Sequence, residues 1–189
     1  MAAKDRNSSA NRKLTIWTVG HSTRSQESFL ALLLAHSIQQ LVDVRTIPRS
    51  AHNPQFSQEE LRLPLDSAGI SYLHMPALGG LRHARKDSIN LAWRNKSFRG
   101  YADYMQTQPF DDAIDDLIHL AQNGRTAIMC AEAVPWRCHR SLIADALLIR
   151  GVHVEEIATQ TSTRNHLLTP WACVKGTRIT YPAEKACVE

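Results

Sequence analysis

The chain has 189 residues, of which 43% are hydrophobic and 21% are charged, a composition that supplies one sizeable core and excludes an intrinsically disordered chain. Its 22 Lys and Arg exceed its 18 Asp and Glu, which gives a formal net charge of +4. Because the basic residues are spread along the chain, this charge does not define a nucleic-acid-binding arm, although it suits anionic ligands better than cationic ones.

Two features of the sequence favour a cytoplasmic protein without a membrane partner. The first thirteen residues lack the apolar core of a secretory signal, and no stretch reaches the roughly 18 apolar residues of a membrane span. Four cysteines are too few for a disulfide scaffold in a chain of this length. We therefore expect reduced thiols that are either reactive or simply buried. The sequence does not define an oligomeric state.

Predicted strands alternate with predicted helices along the chain. Short runs of β-branched and apolar residues, each followed by glycine, proline or polar residues, predict the strands. The first run leads directly into a Gly-His-Ser turn. The five predicted strands cover residues 14–19, 40–45, 70–75, 126–130 and 152–157.

Four predicted helices lie between these strands. Phe29, Leu32 and Leu33 share one face of the first helix. Ser57, followed three residues later by Glu60, forms a capping box at the start of the second. The four helices end near residues 37, 69, 124 and 151, and the last of them begins near Pro135.

This alternation predicts an α/β protein with a Rossmann-like three-layer sandwich, in which helices cover both faces of a mostly parallel five-stranded sheet. We expect a disordered tail over residues 1–13, an α/β domain over residues 14–160 and a C-terminal appendage over residues 161–189. Residues 82–98 have a weak, polar pattern that indicates an irregular excursion over the site. In such sheets ligands bind beyond the carboxyl ends of the strands, so the residues that follow each strand are the candidates for a site.

Four short motifs follow four of the predicted strands. They are Gly20-His21-Ser22, then Asp43-Val44-Arg45 with Pro48 and Ser50, then Leu78-Gly79-Gly80, and last Cys130-Ala131-Glu132 with Cys138-His139-Arg140. In this order they resemble the domain-of-unknown-function 488 family over residues 14–157. The resemblance implies a Rossmann-like α/β fold. It implies no established substrate, cofactor or catalytic residue.

The sequence Cys138, His139 and Arg140 is expected in the first turns of the helix that begins near Pro135. Free amide groups and the helix dipole favour negative charge at that position, and Arg137 and Arg140 would add to the effect. Cys138 is therefore a candidate thiolate nucleophile, and a buried, inert cysteine is the alternative.

Two carboxylates and a histidine at strand ends are candidates for proton transfer. Glu132 and Asp43 suit general acid or base chemistry, or a hydrogen bond to a ribose hydroxyl, and Glu132 lies in the densest polar cluster. An ion pair with Arg45 is the structural alternative for Asp43. His21 is a candidate proton shuttle or anion donor, with a hydrogen bond to loop carbonyls as its alternative. Ser22 either contacts a ligand or caps the following helix.

Cys130 ends an apolar strand, which favours a small core residue over a functional thiol. The segment from Cys130 to Arg137 is only loosely similar to the phosphate-binding loop of cysteine phosphatases and sulfurtransferases. Its cysteine-to-arginine spacing is one residue too long, and Pro135 and Trp136 stand where small residues are needed.

Neither a metal nor a cofactor is predicted. A metal site formed by Cys130, Cys138, His139 and His21 is a weak alternative, because the spacing is not that of a structural zinc motif. The glycine-rich Gly-x-Gly-x-x-Gly fingerprint is missing from the sequence, which argues against tight binding of NAD or FAD.

Two functions fit these residues. The first is an enzyme that acts on a phosphate-bearing small molecule, such as a nucleotide or nucleoside derivative. The second is a non-catalytic module that binds an anion, a nucleotide or a nucleic acid, with basic residues at 82–86 and 94–99 and aromatic residues Trp93, Phe98 and Tyr101 as contacts. The predicted catalytic residues are Glu132, Cys138, His139, His21 and Asp43, and the predicted ligand-binding residues are Ser22, Arg45, Ser50, Gly79, Gly80, Arg137 and Arg140.

Overall fold

The computed structural model describes residues 13–50 and 52–183, so the expected tail over residues 1–13 lies almost entirely outside the described part of the chain. Within the described part, the strands are β1 Thr15–Gly20, β2 Gln40–Asp43, β3 Ser71–His74, β4 Thr126–Cys130, β5 His153–Thr159, β6 Ser162–Asn165, β7 Cys173–Lys175 and β8 Arg178–Thr180.

The described α-helices are α1 Gln26–Ala35, α2 Gln58–Ser67, α3 Lys96–Tyr104, α4 Gln108–Ala121 and α5 Arg140–Leu148. Three short 3-10 helices, Pro54–Phe56, Pro76–Leu78 and Pro135–Arg137, each begin with a proline. Ser57 caps α2 as its sequence predicts, with its hydroxyl accepting a hydrogen bond from Glu60 N. At α1 the capping residue is Ser25, whose side chain accepts from Ser28 N, so Ser22 does not cap this helix.

The predicted α/β class with a mostly parallel sheet is confirmed. A six-stranded sheet has the order β3-β2-β4-β1-β5-β6, in which β1 to β5 are parallel and β6 joins the edge antiparallel to β5. The sixth strand was not predicted from sequence because Ser162–Asn165 is polar and largely exposed, and has no apolar alternation.

Helices on both faces of the sheet produce the three layers. Strand β4 is buried along its whole length, as expected for a central strand of a parallel sheet. On one face, β-strand residues pack against α1 and α2 around Phe29, Leu33 and Leu65. On the other, they pack against α3, α4 and α5 around Tyr101 and Leu142.

The segment after β6 packs against the face of the sheet that is covered by α3, α4 and α5. Strands β7 and β8 form a hairpin, and Ile179 in β8 and Tyr181 directly after it are buried in the core. Cys173, at the start of this hairpin, is disulfide-bonded, which corrects the expectation of reduced thiols for this residue. Among the described helices, none is long and apolar enough to cross a membrane.

Candidate functional site

Strands β1, β4 and β2 lie side by side in the sheet, so the loops that follow them meet at its carboxyl edge. Gly20 pairs with Cys130 across β1 and β4. The pairing continues into the loops, where His21 N donates to Cys130 O at 3.0 Å and Ser22 N donates to Ala131 O at 2.8 Å. The sheet register therefore brings the first and last sequence motifs into direct contact.

Gly20 allows the loop after β4 to pass close to β1. A Cβ atom at this position would overlap the carbonyl oxygen of Glu132. The same carbonyl accepts a hydrogen bond of 2.6 Å from Arg140 Nη2, so it lies between the end of β1 and the start of α5. The backbone of Glu132 is thus fixed, while its side chain is exposed and its carboxylate has no hydrogen-bond partner among the described residues.

Asp43 and Arg45 form a buried ion pair beyond the end of β2. Arg45 Nε lies 2.9 and 3.1 Å from the two carboxylate oxygens of Asp43, and Nη2 also donates to Asp43. Tyr72 Oη donates to the same carboxylate at 2.7 Å, and Arg45 Nη2 donates to Phe56 O at 2.8 Å. Asp43 therefore forms the ion pair with Arg45 that was its structural alternative. The Arg45 guanidinium is bound mainly to groups of the protein itself.

His21 lies behind this pair as a neutral imidazole. Its Nδ1 is 2.8 Å from Ser22 O, its Nε2 is 3.4 Å from Arg45 Nη1, and its ring stacks on Phe56 at 4.2 Å between centroids. Because a guanidinium can only donate, Nδ1 carries the proton and Nε2 accepts. Burial, with the charge of Arg45 adding to it, lowers the pKa of His21 to about 4.

Two cysteine thiols and one imidazole meet at the end of β4. His139 Nδ1 lies 3.9 Å from Cys130 Sγ and 3.8 Å from Cys138 Sγ, and all three atoms lie within 4.8 Å of one another. Both cysteines are free and buried. Cys130, which its sequence context indicates as a core residue, is therefore also a member of the candidate site.

The imidazole of His139 is held in one orientation. Its Nε2 lies 3.1 Å from Val44 O, so this nitrogen donates to the backbone and Nδ1 is left as an acceptor that faces both sulfur atoms. Gly80 packs against the same ring, because a Cβ atom there would lie 2.5 Å from His139 Nδ1. The loop after β3 therefore requires glycine at position 80 for this ring to keep its place.

Arg140 is a buried cation without a carboxylate partner among the described residues. It is 1% exposed, and its Nε lies 3.5 Å from Cys138 Sγ. The Cys130 thiol, His139 and Arg140 all favour the ionised form and hold the pKa of Cys138 well below its usual range. The neighbouring Cys138 sulfur and burial raise the pKa of Cys130.

The position of Cys138 relative to α5 differs from the one that the sequence predicts. The helix α5 begins at Arg140, and His139 is its N-terminal cap residue. Cys138 precedes the helix in an extended conformation, after the 3-10 helix Pro135–Arg137 has turned the chain back towards β4. The expectation that Cys138, His139 and Arg140 occupy the first turns of one helix is therefore wrong for the first two.

A cavity of about 530 Å³ opens beside these groups at the carboxyl edge of the sheet. Its predicted members are Glu132, Cys138, His139, Arg45, Ser50, Gly80 and Arg137. The other predicted residues lie behind its wall. Asp43 and His21 contact Arg45, and Arg140 contacts Cys138. The Ser22 carbonyl orients His21, and Gly79 packs against Thr46.

Several residues of the cavity wall were not predicted. Arg49, Ile47 and Leu81 belong to irregular loops after β2 and β3, and all three are largely exposed. Ser97 comes from the first turn of α3, a helix that the sequence pattern does not predict, and Phe98 in the same turn was expected only as a nucleic-acid contact. Arg49 is the member with a usable sequence signal, since it directly precedes the predicted ligand residue Ser50.

Fold and site together define a three-layer α/β protein with a thiol-lined cavity at the carboxyl edge of its parallel sheet. The family model described as "Domain of unknown function DUF488" matches residues 25–147, more than half of the chain. The chain therefore belongs to this family, which confirms the resemblance seen in its motifs. A search of curated proteins and a search of solved structures gave no match. The family description assigns no activity.

Proposed function

We propose that the protein is an enzyme that acts on a phosphate-bearing small molecule, such as a nucleotide or nucleoside derivative, bound in the 530 Å³ cavity. The observation that carries the proposal is the division of the cavity wall into a charged part and an apolar part. Sites for small ligands are typically apolar pockets with a few converging polar groups, and this cavity is of ordinary size for one.

The charged part of the wall supplies Arg137 and Arg49 for a phosphate. Arg137 is exposed and has no ion-pair partner among the described residues. Arg49 is 76% exposed and lies 3.9 Å from an exposed Glu59, an arrangement that contributes little and leaves the guanidinium available. Arginine suits phosphate because its planar fork can donate to two oxygens at once.

The apolar part of the wall fits a ring. Ile47 and Leu81 are 59% and 70% exposed, and Phe98 lies between the core and the cavity. Exposed apolar side chains grouped around a polar site indicate a surface that is covered when a ligand binds. A molecule with an anionic group and a planar apolar group satisfies both parts of the wall.

Glu132 is the proposed acid or base. Glu132 lines the cavity, and its exposed carboxylate has no hydrogen-bond partner among the described residues, whereas Asp43 is buried in an ion pair. A general base must reach the proton that it removes, and an exposed carboxylate on a fixed backbone meets that requirement.

The experiment starts from an unbiased ligand screen. Nucleotides, nucleosides and sugar phosphates are tested for thermal stabilisation of the purified chain, and each stabilising compound is then incubated with it and followed by NMR for product formation. We expect a phosphate-bearing compound that raises the melting temperature and is consumed. Glu132→Gln should bind it and not consume it, whereas Asp116→Asn, which removes an exposed carboxylate from α4, should leave turnover unchanged.

Two results would contradict the proposal. If no phosphate-bearing compound stabilises the chain, the substrate class is wrong. If such a compound stabilises the chain but is never consumed, the cavity belongs to a binding module.

The nucleic-acid version of that module has less support from the geometry. Tyr101 is fully buried, and Trp93 stacks on Phe98 and packs edge-on against Trp171 and Tyr181. Tyr101 and Trp93 therefore do not form a row of exposed rings on which successive bases can stack, and of the three aromatic residues only Phe98 lines the cavity.

A further inference from the structure

We propose that Cys130 Sγ, Cys138 Sγ and His139 Nδ1 bind one Zn²⁺ ion on the floor of the cavity, with the fourth coordination position open to the ligand space. From sequence a metal site with these ligands and His21 is only a weak alternative, because the ligands are not arranged in short Cys-x2-Cys pairs, and the grouped donors do not include His21. The site arises from the chain reversal between β4 and α5, which returns Cys138 and His139 to the end of the strand that carries Cys130.

The two sulfur-to-nitrogen distances are close to those of a tetrahedral metal site. Zn–S bonds of about 2.3 Å and Zn–N bonds of about 2.1 Å at tetrahedral angles separate sulfur from nitrogen by about 3.6 Å. The two Sγ to Nδ1 distances in this protein are 3.9 and 3.8 Å. Shifts of a few tenths of an ångström therefore bring His139 Nδ1 to the bonded separation from each sulfur, and the two sulfurs lie within 4.8 Å of each other.

The surroundings of the three atoms are those of a metal site. Metal-bound histidines usually donate their second ring nitrogen to a carbonyl or carboxylate, and His139 Nε2 already lies 3.1 Å from Val44 O. That hydrogen bond leaves the Nδ1 lone pair directed at the two sulfurs. Arg140 Nε lies 3.5 Å from Cys138 Sγ, which favours the thiolate form that a metal requires.

The ligand set selects zinc among the common cations. Two thiolates and an imidazole are the donors of a borderline-soft ion, whereas Mg²⁺ and Ca²⁺ take oxygen donors. Structural zinc sites are closed by four protein ligands, and catalytic ones have three protein ligands and a bound water. The described residues supply three, and all of them line the cavity.

The open coordination position of the zinc ion gives the proposed enzyme a chemical role for the metal. This step rests on the proposed function. Zinc lowers the pKa of a bound water to near neutrality. Glu132 lies on the same cavity wall, two residues after Cys130, and is not one of the three grouped ligands. The ion would supply an activated water to the ligand space, and Glu132 would be the exposed carboxylate on the wall beside it.

The test measures metal binding without any substrate, so it is independent of the search for turnover. The full chain is purified in the presence of reductant and without a metal-affinity step, and its metal content is measured by mass spectrometry. We expect about one zinc per chain. After chelation, Co²⁺ should restore one equivalent of bound ion, with the near-ultraviolet thiolate-to-cobalt charge-transfer absorption of a thiolate site, and Zn²⁺ should displace it.

Variants identify the ligands. Cys130→Ser, Cys138→Ser and His139→Ala should each lose the stoichiometric ion, and circular dichroism reports whether each variant is folded. His119→Ala removes an exposed histidine from α4 and should retain the ion. Glu132→Gln should also retain it, because the carboxylate is not a ligand.

The parent chain alone can overturn the proposal, even if a ligand variant fails to fold. A chain that contains no zinc, and whose chelated form gives no charge-transfer absorption with Co²⁺, has no such site. Retention of the ion by a folded His139→Ala variant, or its loss from His119→Ala alone, would also contradict the assignment. If metal binds and no compound is consumed, the metal site stands and the enzymatic proposal fails.

Discussion

Asp43 and Arg45 neutralise each other in the interior of the protein. Their side chains are 0% and 6% exposed, and Arg45 Nε lies within hydrogen-bond distance of both carboxylate oxygens. Tyr72 and the Phe56 carbonyl complete the hydrogen bonds around the pair. The pair fixes the loop after β2, from which Arg49 and Ser50 reach the cavity. Its first role is therefore structural.

Asp43→Asn should destabilise the protein strongly. The substitution leaves the Arg45 guanidinium buried without its counter-charge, and loss of one partner from a buried ion pair typically costs about 3–5 kcal/mol. Urea denaturation measures the change in unfolding free energy. The matched control is Asp87→Asn, which breaks the ion pair between Arg85 and Asp87 at the surface and should have a much smaller effect, because exposed ion pairs contribute little to stability. Equal effects of the two substitutions would show that Asp43 has no special structural role.

His166 makes the stability of the fold depend on pH. Its Nε2 lies 2.9 Å from Asp145 Oδ1 and its Nδ1 lies 3.0 Å from Glu156 Oε1, and Asp145 also accepts from Thr169 and Tyr181. Burial opposes its protonation, but the hydrogen bonds to the two carboxylates prevail and raise the pKa of His166 to about 9. The folded state therefore binds this proton more tightly than the unfolded chain does.

The contribution of His166 to the unfolding free energy should fall as pH rises from about 6.5 to about 9. A raised folded-state pKa contributes stability that is fully present below the unfolded value of about 6.5 and disappears as the folded protein loses the proton, with a size on the order of 2–3 kcal/mol. Urea denaturation of the parent and of His166→Gln across this range measures the contribution as the difference between the two proteins, because the Cys138 thiolate gives the total stability an opposite slope over the same range. His166→Gln should be less stable at pH 6 and should lack this component, whereas His153→Gln should retain it. An unchanged slope in His166→Gln would assign the decline to other groups.

The regular parts of the fold could be predicted from sequence because they bury apolar residues in regular patterns. Strand β4 is found with its predicted limits, and α2 begins at its predicted cap. Helix α3 was not predicted because Lys96–Tyr104 is short, begins with polar residues and contains Gly100. Strand β6 is an exposed edge with no apolar face.

The positions of the site residues could be predicted, but their partners could not. Strand ends locate His21, Asp43 and Cys130 at one edge, because parallel strands present their carboxyl ends together. The sequence does not show whether the Arg45 side chain points to a ligand or to Asp43, because side-chain directions in an irregular loop follow no repeating pattern. The orientation of His139 depends on Val44 O, 95 residues earlier in the chain.

Gly20→Ala should destabilise the protein and disturb the cavity together. A methyl group at this position would overlap the Glu132 carbonyl oxygen, which is a backbone atom also held by Arg140 and therefore has little freedom to move. Forcing an extra group into a packed site costs about 1–3 kcal/mol or more. Urea denaturation measures the loss. Gly124→Ala is the control, because the nearest atoms there belong to the ends of flexible glutamine side chains. A Gly20→Ala variant as stable as Gly124→Ala would mean that the loop adjusts freely.

Inorganic phosphate should stabilise the folded chain through Arg137 and Arg49. Both guanidinium groups line the cavity and neither is held in a buried ion pair, whereas Arg45 is held by Asp43. A ligand that binds only the folded state at ten times its dissociation constant adds about 1.4 kcal/mol, which corresponds to a few degrees in melting temperature for a chain of this size. Millimolar phosphate should therefore raise the melting temperature above that in chloride of equal ionic strength.

Arg137→Ala and Arg49→Ala should each reduce this rise, because a hydrogen bond to a charged group is worth about 1.5–3 kcal/mol and its loss weakens binding roughly tenfold or more. Arg164→Ala removes an exposed arginine from β6, away from the cavity, and should leave the rise intact. Differential scanning calorimetry of the four proteins in phosphate and in chloride gives the comparison. If all three variants respond to phosphate as the parent does, the anion binds elsewhere, and the cavity loses the observation that assigns it a phosphate-bearing substrate.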